Sequence, residues 1–412
     1  MALEATPRTT FILGAGASAD AGLPTTIRLT EEITKAIDED YRSGVAAQAL
    51  HAVIGAMIAY DTGRESGVFD GINVERVFSA IQMLARRDEL EIAPFVSAWN
   101  KNLEHFGSSP SLPPFWASNF RKEMQGSSFK DGLAQIFADG VSSLVGPSEL
   151  GPVFKTLNKL MIGALGKALS VEDSRVDYLA PLLAHQEGPI QIATLNYDLC
   201  VELLSRRAGL SVDTGIQLWD GGYDWSWDPS AEVQLLKLHG SLDWYFDQRR
   251  VERECKLEDK VLRAADMTKA EISRFPDSLA LVFGQTAKIR SEGPFLAMLL
   301  ELEKFMLTTE RLVIVGYSFG DEHINSAIRR WMRRSKSPKV SIINPAISEW
   351  TDTRNAPIFY REMLGVMHTR THPRTLLEGN HILELAADPG LKEVVGSGPV
   401  LAEPFGDVVD PL

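Results

Sequence analysis

The chain has 412 residues, 44% apolar and 24% charged, an ordinary globular composition with room for a nucleotide-binding domain and further units. Its net charge of −13 argues against direct nucleic-acid binding across its surface. The two cysteines, Cys200 and Cys255, form no C-x-x-C pair; this excludes a cysteine zinc ribbon and a disulfide framework and fits a reducing, cytoplasmic setting. No basic-then-apolar leader opens the chain, and no uncharged apolar run reaches about 18 residues, so no membrane span is expected.

In chain order, Phe11–Leu13 predicts a buried strand, since nothing in it is polar. Gly14, Ala15 and Gly16 allow a tight turn, and Ala17–Ala21 can open a helix. That strand, glycine turn and helix form an arrangement whose N–H groups receive a pyrophosphate, although the spacing also fits a tight turn with no ligand. Thr25 and Thr26 can cap a helix bearing Leu29, Ile33, Ala36 and Ile37 at helical spacing. From 39 to 186 the pattern predicts a large helical insertion domain, with periodic stretches at Val45–Tyr60, Val74–Ile81 and Phe154–Ala168. Within it, Gly107–Ser128 is irregular and carries Phe115, Trp116 and Phe120, read as anchors onto their own domain.

Strand signals resume at 189–194, 233–238, 279–283, 311–315 and 340–343, each short, apolar and non-alternating, as in strands buried on both faces. Helical patterns fall between several of them. The expected architecture is therefore an α/β, Rossmann-like, mostly parallel sheet with helices on both faces. Residues 1–38 and 187–348 would form this domain, and 349–412 a C-terminal helix and extended tail. Arg249–Ser273 has charged helical periodicity and reads as a smaller insertion. Glu322–Ser335 reads as an amphipathic helix whose Arg329, Arg330, Arg333 and Arg334 form a solvated face complementing the helix dipole.

Chemistry gathers at the strand ends. Asn196 and Asp198 follow the strand ending at Thr194, where open α/β sheets bind ligands. Asn196 can hold a water or a ribose hydroxyl; Asp198 can anchor a carboxamide, orient Asn196, or form an Asx turn capping the next helix. His239 follows the next strand, and Gly240 lets the backbone turn so that the imidazole, a natural general base near neutral pH, faces a cleft. His323, at a helix start, reads as a capping or packing residue. Gly316 and Ser318 after one strand, and Asn344 after another, suit a ribose and a second phosphate.

Taken in order, these segments resemble the sirtuin family. Gly14-Ala15-Gly16-x-Ser18, with Ala21, Gly22 and Pro24, is similar to the family's opening motif. Thr194-Leu195-Asn196-Tyr197-Asp198 resembles its Thr-Gln-Asn-Ile-Asp, Leu238-His239-Gly240 its catalytic histidine-glycine, and Val282-Phe283-Gly284-Gln285 its substrate strand. Gly316-Tyr317-Ser318 and Ile343-Asn344 fall where Gly-Thr-Ser and Ile-Asn lie. The resemblance implies that NAD is the substrate. Gly14, Ala15, Gly16 and Ser18 would lie on its pyrophosphate, Pro24, Thr25 and Thr26 beside its nicotinamide end, and Gly316, Ser318 and Asn344 on its adenosine. Asn196, Asp198 and His239 would be catalytic, and no metal is implied.

The departures point further. The four zinc cysteines of sirtuin deacylases are missing, Thr25-Thr26-Ile27 replaces Asp-Phe-Arg, and Gln285 replaces an acidic residue. These features resemble the bacterial sirtuin-like branch of antiphage defence. That resemblance implies a regulated NAD glycohydrolase, a homo-oligomer, and a HerA-type hexameric ATPase as partner. An NAD-dependent deacylase or ADP-ribosyltransferase, and a non-catalytic NAD or ADP-ribose sensor, are the alternatives.

Overall fold

The computed structural model describes residues 8–40, 44–62, 72–86, 150–183, 188–246, 261–268, 279–283, 293–335, 339–344, 357–361 and 375–377. Gly107–Ser128, Gln285 and the chain after 377 lie outside them. Two compact units emerge: Met1–Thr25 with Leu169–Leu412, and Thr26–Ala168.

The second unit is helical among its described residues: α1 (Thr26–Glu39), α2 (Gly44–Thr62), α3 (Val74–Ala85) and α4 (Leu150–Ala168). All four cover stretches whose spacing predicts helices. On α1 the buried Leu29, Ile33 and Ile37 recur every three or four residues, and on α3 so do Val74, Val77, Phe78 and Ile81. Asn73 starts α3, its side-chain oxygen accepting from the Glu75 N–H at 2.7 Å.

The first unit is built on a seven-stranded sheet, ordered β10-β9-β8-β1-β2-β4-β3. Its strands are β1 (Thr9–Leu13), β2 (Ile190–Thr194), β3 (Val212–Asp213), β4 (Val233–Lys237), β8 (Arg311–Val315), β9 (Lys339–Ile343) and β10 (Thr375–Leu377), and every pair is parallel. All five residues of β1 and of β2 are buried, the polar Thr9, Thr10, Gln191 and Thr194 among them, so both strands are covered on both faces. Helices α5 (Cys200–Arg207), α6 (Phe295–Thr308) and α7 (Glu322–Arg334) belong to this unit. On α7 the buried Ile324, Ile328, Trp331 and Met332 share one face.

Three expectations need correction. The run at 279–283 is not in the main sheet: β7 (Leu279–Leu281) joins β5 (Gly240–Phe246) and β6 (Val261–Arg263) in a separate antiparallel sheet, ordered β6-β5-β7. A short apolar run reports burial but does not name its hydrogen-bonding partner. Residues 261–266, within the segment read as helical, are β6 and a 3-10 turn, because Val261 and Arg263 pair with Phe246 and Trp244. Finally, Ala17–Ala21 does not open an α-helix. Ala15–Ser18 is a 3-10 turn, and the chain reverses at Gly22, whose φ is +83°. Packing against the loop after β8 holds this tighter winding.

Candidate active site

Because β1, β2, β4, β8 and β9 are parallel, the residues following each emerge on one edge of the sheet. Beyond β1 the chain fills first the β2 side and later the β8 side, which makes β1 the topological switch point, where ligands of open α/β sheets bind. The glycine turn, Asn196, Asp198, His239, Gly316–Asp321 and Asn344 all stand on this edge.

The glycine turn packs backbone against backbone. The Gly14 N–H donates to the Val315 carbonyl at 2.9 Å and the Gly16 N–H to the Gly316 carbonyl at 3.0 Å. A Cβ on Gly14 would lie 2.6 Å from the Gly316 oxygen and the Tyr317 Cα. Gly316 has φ +60°, and a Cβ there would strike the backbone of Gly16 and Ala17. The amides of Gly14 and Gly16, read from sequence as phosphate donors, are thus given to the neighbouring loop. These glycines offer close approach instead, with Ala15 exposed at the head of the turn.

Asn196 ties β2 to this turn. Its Nδ2 donates to the Gly14 carbonyl and to Ser18 Oγ, both at 2.9 Å, and its own N–H is held by Thr194 Oγ1. Half-buried, it is oriented by three bonds rather than by packing alone. Asp198 forms the Asx turn, its Oδ1 accepting from the Cys200 N–H at 3.0 Å as α5 begins.

His239 sits between β4 and β5. Its carbonyl accepts from the Val282 N–H at 3.0 Å, and Gly240 follows at φ +89°, where a Cβ would fall 1.9 Å from the Ala280 oxygen. The sequence suggests an imidazole facing a cleft, yet the residue is only 1% exposed. The loop after β8 covers it: Nε2 lies 3.9 Å from Asp321 Oδ2, and the rings of His323 and Tyr197 stand 6.0 and 6.2 Å away, centroid to centroid. Asn344 Nδ2 donates to the Tyr317 carbonyl at 3.1 Å, joining the β9 and β8 loops. Ser318 is exposed, Pro24 buried and Thr25 exposed, while Thr26 opens α1 in the other unit.

Residues 191–363 match the SIR2-like domain family. The matched span holds Asn196, Asp198, His239, Gly316, Ser318 and Asn344; the glycine turn precedes it, knit in through Asn196 and Gly316. No curated protein matches the chain. Among solved structures, a Sir2 in complex with the inhibitor EX-527, 2′-O-acetyl-ADP-ribose and a deacetylated p53 peptide aligns over 89% of this chain and 95% of its own, at 10% identity and TM-score 0.29. A Sir2–p53 peptide–NAD+ complex aligns over 88% and 92%, at 10% identity and TM-score 0.27. Likenesses this distant assign no residue.

The sheet-bearing unit contains supports that the sequence reading missed. Lys237 is wholly buried; its Nζ donates to the Asp198 carbonyl at 2.6 Å and to Glu202 Oε1 at 2.8 Å, fastening the Asn196–Asp198 loop to β4. Burial holds the Glu202 carboxyl above its ordinary range, although Lys237 pulls it down. A lysine inside Leu235-Leu236-Lys237-Leu238 was the available signal. Burial, then the Asp198 carboxylate, pushes the Cys200 thiol far up, so it is no nucleophile. Tyr178 Oη donates to the Ala17 carbonyl at 2.6 Å, and Arg175 Nη1 reaches the Ala21 carbonyl at 3.4 Å. Three arginines of α7 have partners in the fold: Arg329 with Glu322 and over Phe359, Arg330 with Glu303, Arg334 with the Met306 carbonyl. Among the described residues no group of three or more His, Cys, Asp or Glu could hold a metal.

Proposed function

We propose that the chain hydrolyses NAD to ADP-ribose and nicotinamide at this edge. The observation carrying the reading is Asn196, bonded to both Gly14 and Ser18 of the glycine turn, with His239 on the adjoining strand end. The cleaved bond joins C1′ of the ribose to a cationic pyridinium. As it breaks, its electron pair goes to the ring nitrogen and nicotinamide leaves neutral. Water forms the new C–O bond at C1′ and gives its proton to the His239 imidazole. Asn196 orients the ribose or the water through its side-chain carbonyl, since its NH2 is held by the turn. Asp198 supports this through its loop: its carboxylate caps α5 and its carbonyl holds Lys237.

With the Gly14 and Gly16 amides engaged, the diphosphate takes Ala15 and Ser18 at the turn and a cation beside it. Arg175, whose guanidinium lies against Gly22, supplies that charge. Ser318 and Asn344 take the adenosine end. The departures at Thr25-Thr26-Ile27 and the missing zinc cysteines favour water over acyl-lysine as acceptor. On the same grounds the chain is a regulated antiphage effector, a homo-oligomer working beside a HerA-type ATPase, with 39–186 and 349–412 as control elements. Chromatography of the products with and without an acetylated peptide tests the reaction: ADP-ribose in both cases supports hydrolysis, and 2′-O-acetyl-ADP-ribose formed only with peptide contradicts it. Co-purification with the ATPase tests the partner.

A further inference from the structure

We propose that Asp321 is a positioning residue for His239, fixing which imidazole nitrogen carries the proton; this rests on the reading of His239 as the base. Asp321 stands at the N-cap of α7, where an aspartate ordinarily accepts from the first turn and stabilises the helix by about 1 kcal/mol. Here its side chain makes no capping bond. The side chain, 10% exposed, instead places its carboxylate 3.9 Å from His239 Nε2.

The backbone around it is clamped to allow this. The Asp321 N–H donates to Tyr317 Oη at 2.9 Å, and its carbonyl accepts from the Asn325 N–H at 2.9 Å. Asn325 Nδ2 donates at 2.9 Å to the carbonyl of Phe319, a bulky buried residue at φ +59°, a conformation that costs energy outside glycine. The Phe319 ring is pinned by Tyr317, Phe359 and Tyr360, at 5.0, 5.8 and 6.1 Å. A forgone cap and a left-handed phenylalanine both serve to turn Asp321 toward the histidine. The separation is about an ångström beyond a direct hydrogen bond, and such contacts tighten when substrate binds. A carboxylate on this side stabilises the Nε2–H tautomer, leaves Nδ1 as the basic nitrogen, and stabilises the imidazolium formed as the proton arrives.

The test compares Asp321→Asn and Asp321→Ser with wild type; serine caps a helix well but cannot pair with an imidazole. Both variants are expected to lose kcat by on the order of 10²-fold while KM for NAD and the melting temperature hold. Nitrogen-15 spectra of histidine-labelled protein, with the His239 signals assigned by His239→Gln, are expected to show the Nε2–H form in wild type and its loss in Asp321→Asn. Wild-type kcat in both variants, or unchanged His239 signals, overturns the proposal, as does an Asp321→Ser variant that loses melting temperature together with kcat. If wild type releases no nicotinamide, the functional reading fails on its own and the spectra still decide the role of Asp321.

Discussion

Asn196 holds the glycine turn through its side-chain NH2, and in the proposed reaction its carbonyl orients the ribose or the water, which would couple structure and chemistry in a single side chain. Asn196→Ala removes the side-chain bonds to the Gly14 carbonyl, which keeps the Ala17 N–H, and to Ser18 Oγ, each worth about 0.5–1.5 kcal/mol. Calorimetry is expected to show a melting temperature several degrees lower, together with lost turnover. His239→Gln removes the proposed base while keeping a polar side chain of similar size, and is expected to lose turnover as well. Tyr178 and Cys200 set an alkaline limit. Burial raises both, and the neighbouring Asp198 charge adds to each. A group raised in the fold contributes its stability below its ordinary value, 10.0 for Tyr178 and 9.0 for Cys200, and loses it as pH rises beyond. Thermal melts are expected to fall from pH 8 toward pH 11, and less steeply in Tyr178→Phe; an unchanged slope in that variant would argue against the buried phenol.

At the scale of elements, the main strands were legible because burial on both faces writes itself as apolar runs, and Thr9–Leu13 and Arg311–Val315 coincide with them. The helices carrying Val74–Ile81 and Phe154–Ala168 were legible for the same reason at period 3.6. What periodicity could not show is which sheet a strand joins. Leu279–Leu281 has the composition of a parallel core strand but pairs with Gly240 and Tyr245, because Gly240 brings β5 against β7. That close approach makes Gly240→Ala a sharp test: a methyl group there meets the Ala280 carbonyl at a positive φ. The substitution is expected to lower stability well beyond the roughly 1 kcal/mol typical of point changes, read as a drop in urea midpoint. Lys237→Met is expected to cost about 3–5 kcal/mol by leaving Glu202 buried and unpaired, and adding Glu202→Leu to recover much of it.

Over the whole molecule, the candidate site was legible as a list of strand-end residues, since Asn196, His239, Gly316 and Asn344 do share one sheet edge. Their division of labour was not. The Gly14–Gly16 spacing suggests amides aimed at phosphate, whereas those amides bind the β8 loop and the glycines serve close packing. A local motif cannot report a partner 300 residues away. Asp321 was hidden likewise, since a helix-start aspartate reads as a cap until its carboxylate is seen turned to His239. The claim that this edge cleaves NAD is tested most directly by nicotinamide release from wild type and His239→Ala, each alone and with the proposed ATPase, beside ADP-ribose binding by calorimetry. The account predicts release by wild type without any acyl substrate, a loss of at least about 10²-fold in His239→Ala, and ADP-ribose binding retained by both. Undiminished release by His239→Ala, or ADP-ribose bound by wild type with no release under either condition, would contradict it.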